Sequence, residues 1–225
     1  MALLTLDQLY KLIVGAPHKF ARFLRRVLTA DVYDIVDAVA SDAQGLVANF
    51  TSAAGTRSDT SFVAGGVAAI LAYPRNITVT TGAGGTPTQG YTAVVLTGTD
   101  IDGNALTETI SSLNSAGTFQ GNKAFKTLTS AAWSGGTGAG ATQSLGFGNK
   151  FGLPAKPKER GGVPHVIAEK QDGATPGTAG TLVAAATGAP YGTYSPNTAP
   201  NGARDYTLTI EMDPVDATLI WPGGA

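Results

Sequence analysis

The residues best suited by type and spacing to do chemistry are the acids and amide of Asp100-Ile101-Asp102-Gly103-Asn104. Oxygen donors at alternate positions around a glycine make the first part of a calcium loop. The bidentate glutamate that closes such a loop is missing downstream, and Asp102-Gly103 stands between two runs of strand character. A tight type I′ hairpin turn therefore explains the motif better than a cation. Other chemistry is thinner still. The chain has two histidines, His18 and His165, far apart in sequence, and no Gly-x-Ser-x-Gly elbow, so nothing points to a Ser/His/Asp arrangement. Glu108, Glu211 and Asp213 are carboxylates without a spacing that would set two of them across a glycosidic bond. The glycine runs at 82–85 and 135–140 lack the Lys-Ser/Thr ending of a phosphate loop. The chain has no cysteine, which excludes disulfides, thiol catalysis and Cys-ligated zinc. The expectation is a protein that is not an enzyme, with no catalytic residue, metal or cofactor.

The elements around that motif are the best defined in the chain. In Arg75 to Gly82, Ile77 and Val79 fall on one side and Thr78 and Thr80 on the other, the period of a half-buried strand. The run from Tyr91, YTAVVLTGTDI, is apolar on both sides around Val94, Val95 and Leu96 and predicts a central strand covered on both faces. Beyond the Asp-Gly pair, Leu106 and Ile110 face one way and Thr107 and Thr109 the other. A second hairpin is expected across Gly121-Asn122, between Thr118-Phe119 and KAFKTLTS, and Gln143 to Phe147 reads as a further short strand. Strands about ten residues apart with turn signals between them favour a β-sandwich or jelly-roll-like module.

The succession PRNITVTTG, VVLTGTDIDGNALTETI, AFKTLTS and LGFGNKFGLP, over residues 74–154, resembles a β-sandwich module of tailed-bacteriophage virion proteins, especially head decoration or cement proteins. The resemblance implies a non-enzymatic structural role on the head surface, with the major capsid protein or another virion protein as partner. It also implies a homo-oligomer, with a trimer favoured. A tail, neck or baseplate component is the alternative within that class. A carbohydrate- or cell-surface-binding sandwich is the alternative outside it, and exposure of Trp133 or Trp221 would favour that.

Composition agrees with a protein covered by neighbours: 14% of residues are charged and 30 are glycine, against roughly 25% charged in ordinary soluble domains. A formal net charge of −1 gives no general pull toward nucleic acid or a membrane surface. Asp7, Gln8 and Lys11 interrupt the first apolar run, and residues 63–72 are too few to span a bilayer. The expectation is a protein made in the host cytoplasm without a cleaved signal.

Four regions follow. Residues 1–50 predict a short helical region. A first helix starts near Leu6, a second carries the stripe Phe20, Phe23, Leu24, Val27 and Leu28, and a third is capped by Asp31 with Val32, Ile35, Val36 and Val39 in step. Residues 51–72 are a linker and entry segment, with small polar residues already from 41; 73–155 are the sandwich module; 156–225 are an extended arm returning to a strand at Tyr206–Met212. Two places suit a partner. Lys19, Arg22 and Arg26 share one helix face with no acid nearby, which fits docking on an acidic neighbour. Tyr191 and Tyr194 lie between Pro190 and Pro196 in the long 171–203 segment and could supply rigid apolar contacts.

Overall fold

The computed structural model describes residues 30–62, 70–82, 86–154, 156, 159–160, 163–164 and 166–211. These residues are mainly β, in antiparallel sheets consistent with a β-sandwich. The strands are β1 (Ala30–Ile35), β2 (Asp42–Thr51), β3 (Gly55–Asp59), β4 (Ile70–Thr81), β5 (Ala93–Thr99), β6 (Ala105–Ser111), β7 (Gly117–Gly136), β8 (Thr142–Gly152), β9 (Glu159–Arg160), β10 (Val163–Pro164), β11 (Val166–Gln171), β12 (Thr181–Val183), β13 (Thr193–Ser195) and β14 (Tyr206–Glu211). The larger sheet runs β12-β13-β8-β4-β7-β5-β6, with β2 added on β8 and β3 on β7. A smaller sheet, β1-β14-β11, shares a second core with the end of β8 and with β13.

β4 lies between β7 and β8, and Ile77 and Val79 are fully buried as their alternation requires. Pro74 sits inside this strand, where the β7 register slips between Ile70 and Arg75. A bulge is where a residue without an N–H can be tolerated in a sheet interior. β5 is central, between β6 and β7, but only one of its faces is covered: Val94 and Leu96 are buried while Val95 is 41% exposed. The unbroken apolar run reflects β propensity on the outer face. Leu106 and Ile110 point into the core and Thr107 and Thr109 outward, as their spacing predicts.

Four expectations are corrected. The third helix is absent: Ala30–Ile35 forms β1, paired with β14 from Ala30↔Glu211 to Ile35↔Tyr206. DVYDIV satisfies both periods, and the partner strand decides between them by burying Ile35 beside Leu208 and Ile210. The first two helices lie outside the described residues. The segment from 41 to 61 is not a linker, since β2 contributes Leu46 and Val47 to the main core and β3 pairs with β7 next to Trp133.

Gly121-Asn122 is not a turn either. β7 runs through it as one strand of 20 residues, and between Asn76↔Ala124 and Thr78↔Gln120 the extra residues of β7 bulge out. A second irregularity opposite Thr97 and Gly98 brings Phe125, Leu128 and Ala131 all inward, although no period of two would do so. Finally, the 171–203 segment is anchored rather than extended: β12 pairs with β13, and β13 pairs with β8 through Thr193↔Gly152 and Tyr194↔Phe151.

Candidate interaction surface

The Asp100–Asn104 loop is closed by its own first residue. Asp100 is buried; its Oδ1 accepts the N–H groups of Asp102 and Asn104, both at 2.9 Å, and its Oδ2 accepts the Asn104 side-chain amide at 3.2 Å. The Gly103 N–H bonds to the Asp100 carbonyl and Gly103 has φ 84°, whereas Asp102 stays at negative φ. This is a three-residue loop with a glycine bulge, so the expected type I′ turn is corrected. The Asp100 oxygens a cation would need are engaged by the loop itself, Oδ1 by backbone and Oδ2 by the Asn104 amide. Among the described residues no group of three His, Asp or Glu side chains is placed to hold a metal ion.

Glu108 has a comparable task. It faces inward from β6 and accepts the Asn122 N–H at 2.6 Å and the Lys123 N–H at 3.2 Å, satisfying donors that the β7 bulge would leave unpaired. A β-carbon on Gly121 would collide with this carboxylate. Burial raises the Glu108 pKa, and the hydrogen bonds from Asn122 and Lys123 and the charges of Lys123 and Lys150 only partly offset it. The sign follows: the folded chain holds this proton more tightly than the unfolded chain. The contribution of Glu108 is therefore most favourable below its unfolded pKa and is lost as pH rises through its folded value. Glu108→Gln, which keeps an acceptor oxygen, is expected to match the parent melting temperature at pH 4 and to equal or exceed it at pH 7. A loss of stability confined to pH 7 would contradict this assignment.

The remaining carboxylates do not converge: Glu108 is in the larger sheet, Glu211 is in the smaller one, and Asp213 lies outside the described residues. His18, His165 and Trp221 also lie outside them. Trp133 is 1% exposed, with its Nε1–H donated to Asp59 Oδ2 at 2.8 Å, so it offers no surface platform.

Other buried polar side chains are also consumed by the fold. Gln143 accepts the Tyr91 N–H at 2.9 Å and donates to Thr81 Oγ1 at 3.2 Å and to the Tyr91 carbonyl at 3.1 Å. Asn76 accepts the Lys150 N–H at 3.0 Å. Arg75, 4% exposed, donates Nε to the Gly148 carbonyl at 2.8 Å and Nη1 to the Val39 carbonyl at 2.8 Å. Neither polarity nor burial is left over at these positions for a substrate. These were missed in the sequence because isolated Arg, Asn and Gln residues inside strands carry no local signal of their partners.

Of the partner residues expected from sequence, Lys19, Arg22 and Arg26 lie outside the described residues. Tyr194 is fully buried and its hydroxyl donates to Glu169, which also accepts the Gly180 N–H at 2.8 Å. Burial, then the Glu169 carboxylate, pushes its pKa up. It is thus a bond between the two sheets and has no free surface on the single chain. Tyr191 is half-buried against the same core.

The surface that stands out lies elsewhere. Val32, Val36 and Val39 are 57%, 53% and 54% exposed, along β1 and the turn after it. Tyr73 fixes that turn by accepting the Val36 N–H at 2.7 Å and donating to the Val36 carbonyl at 3.0 Å. A shallow cleft between residues 171–178 and Asn197-Thr198 is lined by amides and hydroxyls with no charged side chain. No protein-family model, no curated protein and no solved structure matches this chain.

Proposed function

We propose that this chain is a non-enzymatic virion structural protein, a decoration or cement protein that binds the assembled head of a tailed bacteriophage and reinforces it. The observation that carries the reading is the way the interior is spent. Asp100, Glu108, Gln143, Asn76 and Arg75 all direct their polar atoms at the chain's own backbone. That is the use a stiff scaffold makes of buried polarity, since each satisfied group fixes one arrangement of strands. The segments that resemble head decoration proteins form β4 to β8, the middle of the larger sheet.

A jelly-roll-like closure belongs to the same proposal. β7 pairs with β4 along its first half and with β5 along its second, so one long strand joins the two parts of the larger sheet. A rigid body of this kind contributes by bridging neighbours, where several modest contacts act together through effective concentration. The partner is the major capsid protein, or another virion protein if the chain sits in the tail, neck or baseplate.

The test is co-sedimentation of the purified chain with assembled heads across a range of salt concentrations. Reversing Lys19, Arg22 and Arg26 to glutamate is expected to weaken binding by at least about tenfold at low salt and to flatten the salt dependence. Unchanged incorporation at every salt concentration would remove the cationic face from the interface. Absence of the native chain from finished particles would end the reading.

A further inference from the structure

We infer that the cleft between residues 171–178 and Asn197-Thr198 is a binding site for one ring of a neutral saccharide. The buried polar side chains of the fold are consumed by its own backbone, whereas the polarity of this cleft is left open. Gln171, Thr175, Thr178, Asn197 and Thr198 line it, and among the described residues none of these five side chains takes part in a hydrogen bond or ion pair. Their backbone, by contrast, is fastened on both sides. On one wall the Gln171 N–H donates to the Ala174 carbonyl at 2.7 Å and the Ala174 N–H donates back to the Gln171 carbonyl at 3.0 Å, across the Asp172-Gly173 turn. The same wall ends where the Gly180 N–H meets the Glu169 carboxylate at 2.8 Å. On the other wall the hydroxyl of buried Tyr206 donates to the Thr198 carbonyl at 2.6 Å, and Arg204 Nη1 donates to the Ala199 carbonyl. The positions are fixed and only the side-chain ends turn, which lowers the ordering cost of taking a ligand.

The groups in the walls select the ligand class. Two carboxamides and three hydroxyls each offer both a donor and an acceptor, and so does every hydroxyl of a sugar ring. Ala174, Pro176 and the threonine methyls supply the apolar patches that the C–H face of such a ring covers. Among the described residues no charged side chain lines the cleft. Asp172, next to Gln171 in sequence, accepts the Asp205 N–H at 2.9 Å and lies 3.7 Å from Arg204. A charged ligand would lose water there without gaining a counter-charge, and an apolar one would leave the amides unpaired. The volume of about 260 Å³ falls just under the roughly 300 Å³ at which pockets for drug-sized ligands begin, and suits a single ring. An open site with so few groups binds with a Kd on the order of 1 mM. It gains strength when many copies of the chain meet a repeating polymer.

Titration of the nitrogen-15-labelled full chain, followed by its amide shifts, tests this. Glucose, galactose, mannose and N-acetylglucosamine are the neutral probes and glucuronic acid is the charged one, each taken to about 50 mM, well above the expected Kd. At least one neutral probe is expected to give saturable shifts at residues 171–178 and 197–198 with a Kd between about 0.1 and about 10 mM, and glucuronic acid to bind at least about fivefold more weakly. Gln171→Ala and Asn197→Ala should each weaken the best neutral probe by about tenfold, the loss of one or two hydrogen bonds. Both should melt within about 2 °C of the parent, because neither side chain is bonded within the described chain. The shift map of the parent stands as a separate readout if a variant fails to fold. No saturable shift with any of the four neutral probes, shifts confined to other residues, equal binding of glucuronic acid, or an affinity unchanged in both variants overturns the inference. The site does not rest on the virion reading: a chain that binds heads but no sugar overturns this inference alone, and one that binds sugar but is absent from particles overturns only the other.

Discussion

Arg75→Ala is expected to lower the melting temperature by about 10 °C, corresponding to roughly 3–5 kcal/mol for the stranded Gly148 carbonyl, the lost bond to Val39 and the lost packing of the side chain. The guanidinium occupies the junction of the two sheets. It bonds to Gly148 in β8 and to Val39, just beyond β1, and its Cζ lies 4.6 Å from the Phe151 ring centre and 5.0 Å from that of Phe147. Among the described residues none of its partners is a carboxylate. Its charge is held by carbonyl dipoles and ring faces, and burial lowers its pKa to about 10, so it remains cationic at neutral pH.

This arrangement separates two contributions. Removing a buried cation also removes its desolvation cost, which moderates the loss. The Gly148 carbonyl nonetheless stays buried without these donors, and the part-buried carbonyl of Val39 loses its own. Arg75→Met keeps the stem volume and loses the donors, and should recover about half of the alanine deficit, the share that comes from packing. Because Val39 belongs to the segment leaving β1, hydrogen exchange should accelerate in β1 and β14 before it does in β4 and β8. Calorimetry of the two variants decides the matter. An alanine variant melting within about 2 °C of the parent, a change smaller than ~1 kcal/mol, would show that Arg75 does not fasten the sheets.

What could be read in the sequence, and what could not, divides by the range of the interactions involved. The alternations Ile77/Val79, Leu106/Ile110 and Tyr206/Leu208/Ile210 were legible because one buried face imposes a local period of two, and all three face the core. β1 was misread as a helix because its short apolar pattern suits either period, and only the pairing with β14 settles it. Asp102-Gly103 marks the hairpin between β5 and β6 as its type predicts, but not the kind of turn. At 102–103 the loop is built by the Asp100 side chain, whereas Asp172-Gly173, with φ 51° and 78° and reciprocal Gln171 and Ala174 bonds, forms the tight two-residue turn inside a segment expected to be an arm. Gly121-Asn122 resembles a turn on paper because the residue that makes it a bulge, Glu108, is on another strand. The candidate surface was hardest to see. Tyr194 looked available because its neighbours in sequence are prolines and glycines, but Glu169 and Phe151, which bury it, are remote in the chain.

Trp133→Ala is expected to cost about 3–5 kcal/mol, the range for removing a fully buried large aromatic, and so to lower the melting temperature by roughly 10 °C or more. The indole is in edge contact with Phe50 at 5.1 Å between ring centres and tilted against Tyr91 at 5.9 Å. It pairs in register with Val94 on one side and Arg57 on the other, so its loss opens a cavity between three strands. Trp133→Phe isolates the polar part. Phenylalanine retains most of the ring contact, and Asp59, deprived of the indole N–H, keeps the Arg57 guanidinium at 2.7 Å. Its cost should therefore be smaller, about 1–2 kcal/mol for one hydrogen bond and part of a ring. The order alanine well below phenylalanine, and phenylalanine slightly below the parent, is what an internal tryptophan produces. A platform for stacking a sugar would give the reverse signature, with little change in melting and a loss of glycan binding in both variants. That outcome would turn the larger sheet from a brace into a recognition surface.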